Sequence, residues 1–204
     1  MIRAYLDELA RRLSAQLGDR LVAAWQVGSG ALGDFDPLRS DIDVQAVSAP
    51  LERADLEALA ASLTAVPCPV RGLEFVLYAA PPRFQLNLNT GPGMRRHAGY
   101  DPDAEPRFWF ILDVAIARQD ARPLQGAPPR ELLPELPRAL VVSALRDALA
   151  WWQANDPAGA IVSAGRAWAW LEEGRWLSKS EASAWTARRG GDPVKTAQEL
   201  LGRG

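Results

Sequence analysis

The segment VGSGALG at residues 27–33, followed by SDIDV at residues 40–44, is the most informative part of the sequence. It begins where the apolar run LVAAWQV (residues 21–27) ends, and it leads into a second apolar run that carries Asp41 and Asp43. Successive side chains of a strand point to opposite faces, so the two aspartates share one face while Ile42 and Val44 point into the core. The pattern predicts two strands joined through a small-residue turn, with a pair of carboxylates at the start of the second strand.

Two carboxylates on one strand face predict a cation site. Like charges repel, and each must stay solvated or find a cation. Magnesium prefers hard oxygen ligands, typically one or two protein carboxylates with the rest from water and phosphate. A third acid, Glu74, lies in the apolar run LEFVL (residues 73–77), where it can be a further metal ligand or the general base for an incoming hydroxyl. We expect Asp41, Asp43 and Glu74 to be the catalytic and metal-holding residues, with two magnesium ions.

The turn at Gly28 and Ser29 predicts a phosphate-binding site. A glycine lets the backbone come close to a phosphate, and backbone N–H groups in such a turn form an anion nest. An Asp-x-Asp or a Gly-Ser alone is a weak signal. The ordered combination of strand, Gly-Ser, Ser-Asp-Ile-Asp, helix and a strand with one acid is much more specific. Ser40, directly before the acid pair, is included with Gly28 and Ser29 among the expected nucleotide-binding residues.

This ordered pattern resembles the signature of the DNA polymerase β-like nucleotidyltransferase superfamily. Within it, the chain looks most like the aminoglycoside 3''-adenylyltransferases, which inactivate streptomycin and spectinomycin. In the second half, Ala164-Gly165-Arg166, Glu172-Glu173-Gly174, Ser178-Lys179 and Ala184-Trp185 follow the order and spacing of that family's helical domain. The resemblance implies magnesium-dependent transfer of AMP from ATP to a hydroxyl of a small molecule, in a cleft between a catalytic domain and a helical domain.

The same resemblance implies roles for two cations in the second half. Lys179 matches a lysine that contacts the triphosphate, and Arg166 matches an arginine near the cleft. A lysine neutralises a phosphate as a compact charge, whereas an arginine can bind it bidentately. The alternative is that both are solvated charges on helix surfaces.

Two departures from that family concern the acceptor. The family carries an acidic, asparagine-containing segment before the helix that ends in the matched arginine, and this segment helps to bind the drug. Here the corresponding stretch from Asn155 to Ala160 is shorter and poorer in such groups. The tryptophan that the family places against the drug has no clear counterpart, because Leu86 to Leu88 occupy that region. The transfer chemistry is therefore better supported than the acceptor, which fold and metal site do not fix.

The remaining periodicity predicts an α/β catalytic domain with a mixed sheet at residues 1–104, followed by an all-α helical bundle at residues 105–204. Apolar residues at helical spacing predict an amphipathic helix near the N-terminus and another over residues 51–63. A loop rich in Gly, Pro and Asp follows at residues 89–106 and is expected to be a hinge. Beyond it the pattern is helical to the end, with candidate helices near 107–118, 137–154, 158–173, 179–189 and 193–202.

Composition limits the class of protein. The 204 residues are 48% hydrophobic, carry a formal net charge of −2, and include one cysteine, Cys68, and one histidine, His97. An intramolecular disulfide and a histidine-rich zinc site are excluded, which suits a reducing cytoplasm. The sequence shows no signal-peptide core, no membrane-span length and no basic stripe. We expect a cytoplasmic enzyme whose partner is a cationic, hydroxylated small molecule rather than nucleic acid or a membrane; the oligomeric state is left open.

Three hypotheses remain. The first is an adenylyltransferase for a small hydroxylated, amino-bearing molecule. The second is a nucleotidyltransferase that modifies a protein or RNA, as the minimal toxin–antitoxin members of the superfamily do. The extended helical half favours the first hypothesis, because the minimal members lack such a half. The third is a non-catalytic nucleotide-binding relative, against which the presence of all three carboxylates argues.

Overall fold

A computed structural model describes residues 1–202, so the last two residues of the predicted helical domain lie outside the described part. Six strands form one sheet in the order β5-β4-β3-β2-β1-β6. Only β2 and β3 are parallel, and the other neighbours are antiparallel, which confirms the predicted mixed sheet. The strands are β1 (Leu21–Val27), β2 (Ile42–Ser48), β3 (Leu73–Ala80), β4 (Arg83–Thr90), β5 (His97–Gly99) and β6 (Arg122–Gly126).

Nine α-helices accompany the sheet within residues 1–202. They are α1 (Ile2–Leu17), α2 (Gly28–Leu32), α3 (Arg53–Thr64), α4 (Arg107–Asp120), α5 (Pro129–Leu132), α6 (Arg138–Asn155), α7 (Pro157–Glu173), α8 (Lys179–Arg189) and α9 (Pro193–Gly202). The five helices predicted for the second half are confirmed, each end within two residues of its expected position. Short elements within predicted loops, α2 and β5, were not expected, because stretches of three to five residues show no periodicity. None of the described helices has the length and apolar character needed to cross a bilayer.

One face of the sheet packs against α1 and α3. Ile42 and Val44 from β2 lie there beside Leu73 and Phe75 from β3, all nearly inaccessible to solvent. This confirms the predicted core orientation of Ile42 and Val44. Because side chains alternate along a strand, the same register places Asp43 and Glu74 on the opposite face.

The prediction that the chain is helical from residue 107 to the end is wrong at β6. This strand pairs antiparallel with β1 and forms an edge of the sheet. Its residues are mostly exposed and include Pro123 and Gly126, so it has no alternating apolar pattern. Proline is tolerated in a sheet at an edge, where the ladder does not need every N–H group. Pairing with the free edge of β1, rather than its own composition, makes this segment a strand.

Helix α4 has two apolar faces. Phe110 and Val114 pack with Trp25 and Tyr78 on the carboxylate face of the sheet. Ile111 belongs to a second apolar cluster that contains buried residues of α6, α7, α8 and α9. Helix α4 therefore lies between the sheet and the bundle and carries side chains to both. The predicted domain boundary at residues 104 and 105 stays a prediction.

Candidate active site

Gly28 is positioned where β1 ends and α2 begins, directly beside Asp43. Its φ angle is +61°, and a Cβ atom at this position would lie 1.9 Å from Oδ2 of Asp43. The register of β1 and β2 explains the approach, because Val27 pairs with Asp43. A side chain at residue 28 would therefore meet both backbone strain and the carboxylate. The sequence analysis explained this glycine by the close approach of a phosphate to the backbone. The contact with Asp43 is a second reason why residue 28 is a glycine.

The three predicted carboxylates lie at the same end of two neighbouring strands. Asp43 pairs with Glu74 in the parallel register of β2 and β3, and Asp41 precedes Asp43 on the same face. The carboxyl groups of Asp43 and Glu74 are close enough for the charge of Glu74 to raise the pKa of Asp43. Two neighbouring carboxyl groups disfavour being ionised together. The structure thus brings together the three acids that the sequence singled out.

The pKa values of these acids are displaced upward. Burial raises the pKa of Asp43 well above its usual range, and the charges of Glu74, Asp113 and Asp41 add to the effect. Burial also raises the pKa of Glu74, with the charge of Asp41 adding to it. Glu74 nevertheless keeps part of its surface exposed to solvent. Since both groups favour a proton, the site without a cation holds less negative charge than three free carboxylates would.

Asp41 has one engaged and one free oxygen. Its Oδ2 atom accepts a hydrogen bond of 2.8 Å from Nη1 of Arg71. Its Oδ1 atom is buried and has no hydrogen-bond partner within the described residues. Burial raises the pKa of Asp41, while the charges of Arg71 and Lys179 oppose that rise. A buried carboxylate oxygen without a partner is costly unless a ligand or cation completes it.

The side chains of Asp41, Asp43 and Glu74 are of the type that binds magnesium, because they offer hard carboxylate oxygens. In addition, Oδ1 of Asp41 has no hydrogen-bond partner in the described part of the chain and is free to bind a cation. Within residues 1–202, no three acidic, histidine or cysteine side chains already stand at metal-ligand spacing. Asp41 is instead engaged by Arg71.

A fourth carboxylate of the cleft, Asp113 on α4, was missed by the sequence analysis. Burial raises the pKa of Asp113 to about 7; the charge of Glu74 adds to the rise and that of Arg166 opposes it. The signal was available: Asp113 is the single acid in the apolar run FWFILDVAIA (residues 108–117). The argument that selected Glu74 inside its apolar strand applies equally to an acid inside an apolar helix.

Arg166 and Lys179 both reach the cleft from the helical half. Nε of Arg166 donates a 2.8 Å hydrogen bond to the carbonyl oxygen of Leu177. Burial lowers the pKa of the Arg166 guanidinium, while the charges of Asp113, Asp34 and Asp43 oppose this. Lys179 begins α8, and its charge lowers the pKa values of the sheet carboxylates. Arg166 is therefore not a fully solvated charge, whereas Lys179 is exposed, and the binding roles of both residues stay predictions.

Asp34 joins the loop after α2 to the start of α8, a contact that the sequence analysis did not predict. Its Oδ2 atom accepts a 3.0 Å hydrogen bond from the backbone N–H of Ser180, and its Oδ1 atom accepts one of 2.5 Å from Oγ of Ser180. Burial opposes ionisation of Asp34, but the Ser180 and Lys179 backbone contacts outweigh it and lower its pKa. Asp34 and Ser180 are 146 positions apart, so no local pattern could reveal the contact.

The two predicted serines occupy different surroundings. Ser29 lies in the first turn of α2, next to Gly28, and is half-buried. Oγ of Ser40 accepts a 3.0 Å hydrogen bond from the backbone N–H of Asp36, so it closes the loop between α2 and β2. The nucleotide contacts of both residues stay predictions.

The side of the cleft next to β4 carries polar and aromatic groups. Asn89 pairs with Glu74 across β3 and β4. Nδ2 of Asn87 donates a 2.6 Å hydrogen bond to Glu105, whose other oxygen lies 2.9 Å from Nε2 of His97. Trp109 lies one helical turn before Asp113, so both share a face of α4. Its ring meets those of Trp151 and Trp152 edge to face, at centroid distances of 5.1 and 5.6 Å.

The sequence leaves two roles open for Glu172 and Glu173, which could bind substrate ammonium groups or simply cover a helix end. In the structure they accept hydrogen bonds from the indole N–H groups of Trp168 and Trp185. Both also pair with Arg189. These contacts engage both acids within the bundle.

No protein-family model matches the chain. Among solved structures, it is similar to the spectinomycin adenyltransferase AAD(9) from Enterococcus faecialis, solved with ATP and spectinomycin. The TM-score is 0.72 at 17% sequence identity, and the match covers 98% of this chain and 90% of that one. The chain therefore shares the fold of this adenyltransferase. The resemblance predicted from residues 27–44 is therefore confirmed at the level of the fold, as is an α/β sheet domain followed by helices.

Proposed function

We propose that this protein is a magnesium-dependent nucleotidyltransferase that transfers AMP from ATP to a hydroxyl of a small, aminoglycoside-like molecule. The observation that carries the proposal is the convergence of Asp41, Asp43 and Glu74 at one end of the sheet, with the charge of Lys179 acting on all three. The similar fold of AAD(9), solved with ATP and spectinomycin, supports both the nucleotide and the acceptor class.

The residues divide the work of nucleotide binding. Asp41 and Asp43 would hold magnesium, which when bound neutralises triphosphate charge and polarises the reacting phosphoryl group. Lys179, at the start of α8, binds the triphosphate as a compact cation. The N–H groups that begin α2, at Gly28 and Ser29, face the same ligand from the sheet side. Asp34 holds the start of α8 next to this turn through Ser180.

Glu74 is the residue assigned to proton transfer. The acceptor hydroxyl attacks the α-phosphorus of ATP, a new P–O bond forms, and the bond to the bridging oxygen breaks. Pyrophosphate leaves with the bond electrons, and the hydroxyl proton passes to Glu74. A general base works best when its pKa lies near the operating pH, and both burial and Asp41 raise the pKa of Glu74 in that direction.

Carboxylates and aromatic rings near the proposed site support the acceptor class. Glu105 and Glu74 supply carboxylates, and Trp109, Trp151 and Trp152 supply an aromatic cluster on the α4 side. Carboxylates attract ammonium groups, and aromatic faces pack against sugar rings. A hydroxylated, amino-bearing molecule satisfies both kinds of group.

The experiment is an acceptor screen with the purified protein, ATP and magnesium, in which pyrophosphate release is measured against a panel of aminoglycosides and aminocyclitols. The expected result is acceptor-dependent release, with an AMP adduct seen by mass spectrometry and no product from Asp43→Asn. Absence of release with every acceptor would reject the small-molecule assignment. Release that depends on added protein or RNA would favour the macromolecular alternative.

A further inference from the structure

The backbone and stem of Arg71 pack against the turn that follows β4. Its carbonyl oxygen accepts a 2.8 Å hydrogen bond from the N–H of Gly93. A Cβ atom at Gly93 would lie 2.8 Å from Cγ of Arg71, and one at Gly91 would lie 2.9 Å from the Arg71 carbonyl oxygen. Two glycines thus let the turn pack against the backbone and stem of Arg71, while the guanidinium stays half-exposed beside Asp41.

The guanidinium is only partly used by its contact with Asp41. Nη1 of Arg71 lies 2.8 Å from Oδ2 of Asp41, and the two side chains are 52% and 15% exposed. Within residues 1–202 no second acceptor lies within hydrogen-bonding distance of this guanidinium, although it has five N–H donors. An arginine with one bond and a half-exposed head retains the capacity to bind a second anion bidentately.

The ion pair between Arg71 and Asp41 affects the electrostatics of the site more than the stability of the fold. Half-exposed salt bridges contribute little to folding. Arg71, however, stands at the edge of an acid cluster, and its charge lowers the pKa values of both Asp41 and Glu74. It therefore supplies positive charge at the carboxylates where a bound divalent cation would bring its own.

We infer that Arg71 is an exchangeable counter-ion, which pairs with Asp41 in the absence of ligands and with phosphate oxygens once a nucleoside triphosphate binds. The inference rests on the proposed function, since it assumes that Asp41 holds a divalent cation. It gives Arg71 opposite effects on two ligands. Its charge opposes a metal that binds alone, and its free donors favour a triphosphate. The site would then load the cation together with the nucleotide rather than before it.

The test is a pair of binding measurements on Arg71→Met. Binding of Mn²⁺ alone is followed by electron paramagnetic resonance, and binding of a non-hydrolysable ATP analogue with magnesium is followed by calorimetry. Mn²⁺ should bind roughly three- to tenfold more tightly, because a neighbouring positive charge is lost. The ATP analogue should bind about tenfold more weakly, because a charge-assisted contact to phosphate is lost.

Arg39→Met is the matched control. Arg39 is an exposed arginine two positions before Asp41, and its side chain has no hydrogen-bond partner within residues 1–202. The substitution removes the same charge from an exposed position close in sequence, but Arg39 is not among the charges that shift the pKa of Asp41. Both affinities should therefore change by less than about twofold. Arg71→Lys keeps the charge but not the fork of donors, so Mn²⁺ affinity should stay near that of the wild type while ATP affinity falls.

The inference requires that Arg71→Met strengthens Mn²⁺ binding and weakens binding of the ATP analogue. Weaker Mn²⁺ binding in Arg71→Met would mean that Arg71 only orients Asp41, and unchanged binding of both ligands would make it a passive surface charge; either result overturns the inference. A wild-type protein that binds no Mn²⁺ overturns it together with the metal assignment. Binding with the expected signs but no turnover on any acceptor would leave the inference standing and reject the proposed acceptor. If Arg71→Met melts early, Arg71→Gln replaces it in the same two measurements.

Discussion

The two faces of the sheet differ in the side chains that the same strands carry. On the face covered by α1 and α3, β2 presents Ile42, Val44 and Ala46, all fully buried. On the other face it presents Asp43 and Gln45, preceded by Asp41. Within the described residues, buried oxygens without a hydrogen-bond partner occur on both sides of the sheet, at Tyr5 and Thr64 under the first face and at Asp41, Gln45 and Tyr78 on the second. The difference lies in the ionisable groups: β2 carries no ionisable side chain on the first face, whereas carboxyl groups with raised pKa values gather on the second, at a cost that packing alone does not require.

The largest effect should come from exchanging one residue on each face. Asp43→Asn should reduce turnover by about a thousandfold or more, because it removes a metal-holding carboxylate. Its melting temperature should stay equal or rise, since burial and three neighbouring acids already disfavour the charged form. Val44→Ala, the next residue on the opposite face, should lose roughly 1–3 kcal/mol of stability and keep turnover below its melting point. Turnover assays and thermal melts on both variants check the contrast. Near-normal turnover in Asp43→Asn would remove the functional assignment of that face.

The next effect concerns the chemical step alone. Glu74→Gln keeps the size and hydrogen-bonding shape of the side chain but removes its basicity. Turnover should fall roughly a hundred- to ten-thousandfold, while the affinity for ATP and magnesium stays unchanged. Single-turnover kinetics and calorimetry separate the two quantities. Loss of ATP–magnesium binding would assign Glu74 to metal binding, and normal turnover would exclude it as the base.

Much of this architecture could be predicted from the sequence, because local pattern and site chemistry coincide in residues 21–77. Strand alternation placed Asp41 and Asp43 on one face of the sheet, the isolated acid Glu74 was recognised inside its apolar strand, and helical periodicity located the bundle. What escaped prediction depends on contacts between distant segments. The strand β6 forms because β1 has a free edge, and Asp34 matters because Ser180 arrives from 146 positions away. Asp113 is the exception, since an acid alone in an apolar helix was visible but was not weighed.

Two glycines of the α2 segment give a finer comparison. Gly28 and Gly33 both have positive φ angles, 61° and 77°. A Cβ atom at Gly33 meets nothing within 4 Å, whereas one at Gly28 meets Asp43 at 1.9 Å. Gly33→Ala should therefore cost about 1 kcal/mol through backbone strain alone and leave activity intact. Gly28→Ala should also displace Asp43 and lose turnover about a hundredfold or more. Equal effects in the two variants, measured by melting and turnover, would show that the contact with Asp43 has no functional weight.

The pH dependence of stability tests how the carboxylate face holds its protons. The Asp113 carboxyl binds a proton more tightly in the folded chain, where its pKa is about 7, than at its usual value of 3.8. Stability from this group is therefore complete below about pH 4 and is lost as the pH rises towards 7. The rise in the pKa of Asp113 corresponds to at most roughly 4 kcal/mol in the free energy of unfolding. Asp113→Asn, measured by denaturation in chelator from pH 4 to 8, should flatten the decline, whereas the exposed Asp147→Asn should not. The slope should not vanish, because Asp43 and Glu74 shift in the same direction.

The smallest expected effect lies at the contact between the loop after α2 and the start of α8. Asp34 accepts hydrogen bonds from the backbone and side chain of Ser180, and it lies beside the Lys179 backbone. Asp34→Ala removes these contacts but leaves every acid of the sheet in place. Because Lys179 would then be less well fixed over the carboxylates, the KM for ATP should rise about three- to tenfold with a smaller change in kcat. Ser180→Ala removes only the side-chain contact and should give a weaker effect of the same sign. If Asp34→Ala instead lowers kcat at an unchanged KM, the contact acts on the chemical step, and the separation between a nucleotide-positioning bundle and a catalytic sheet face does not hold.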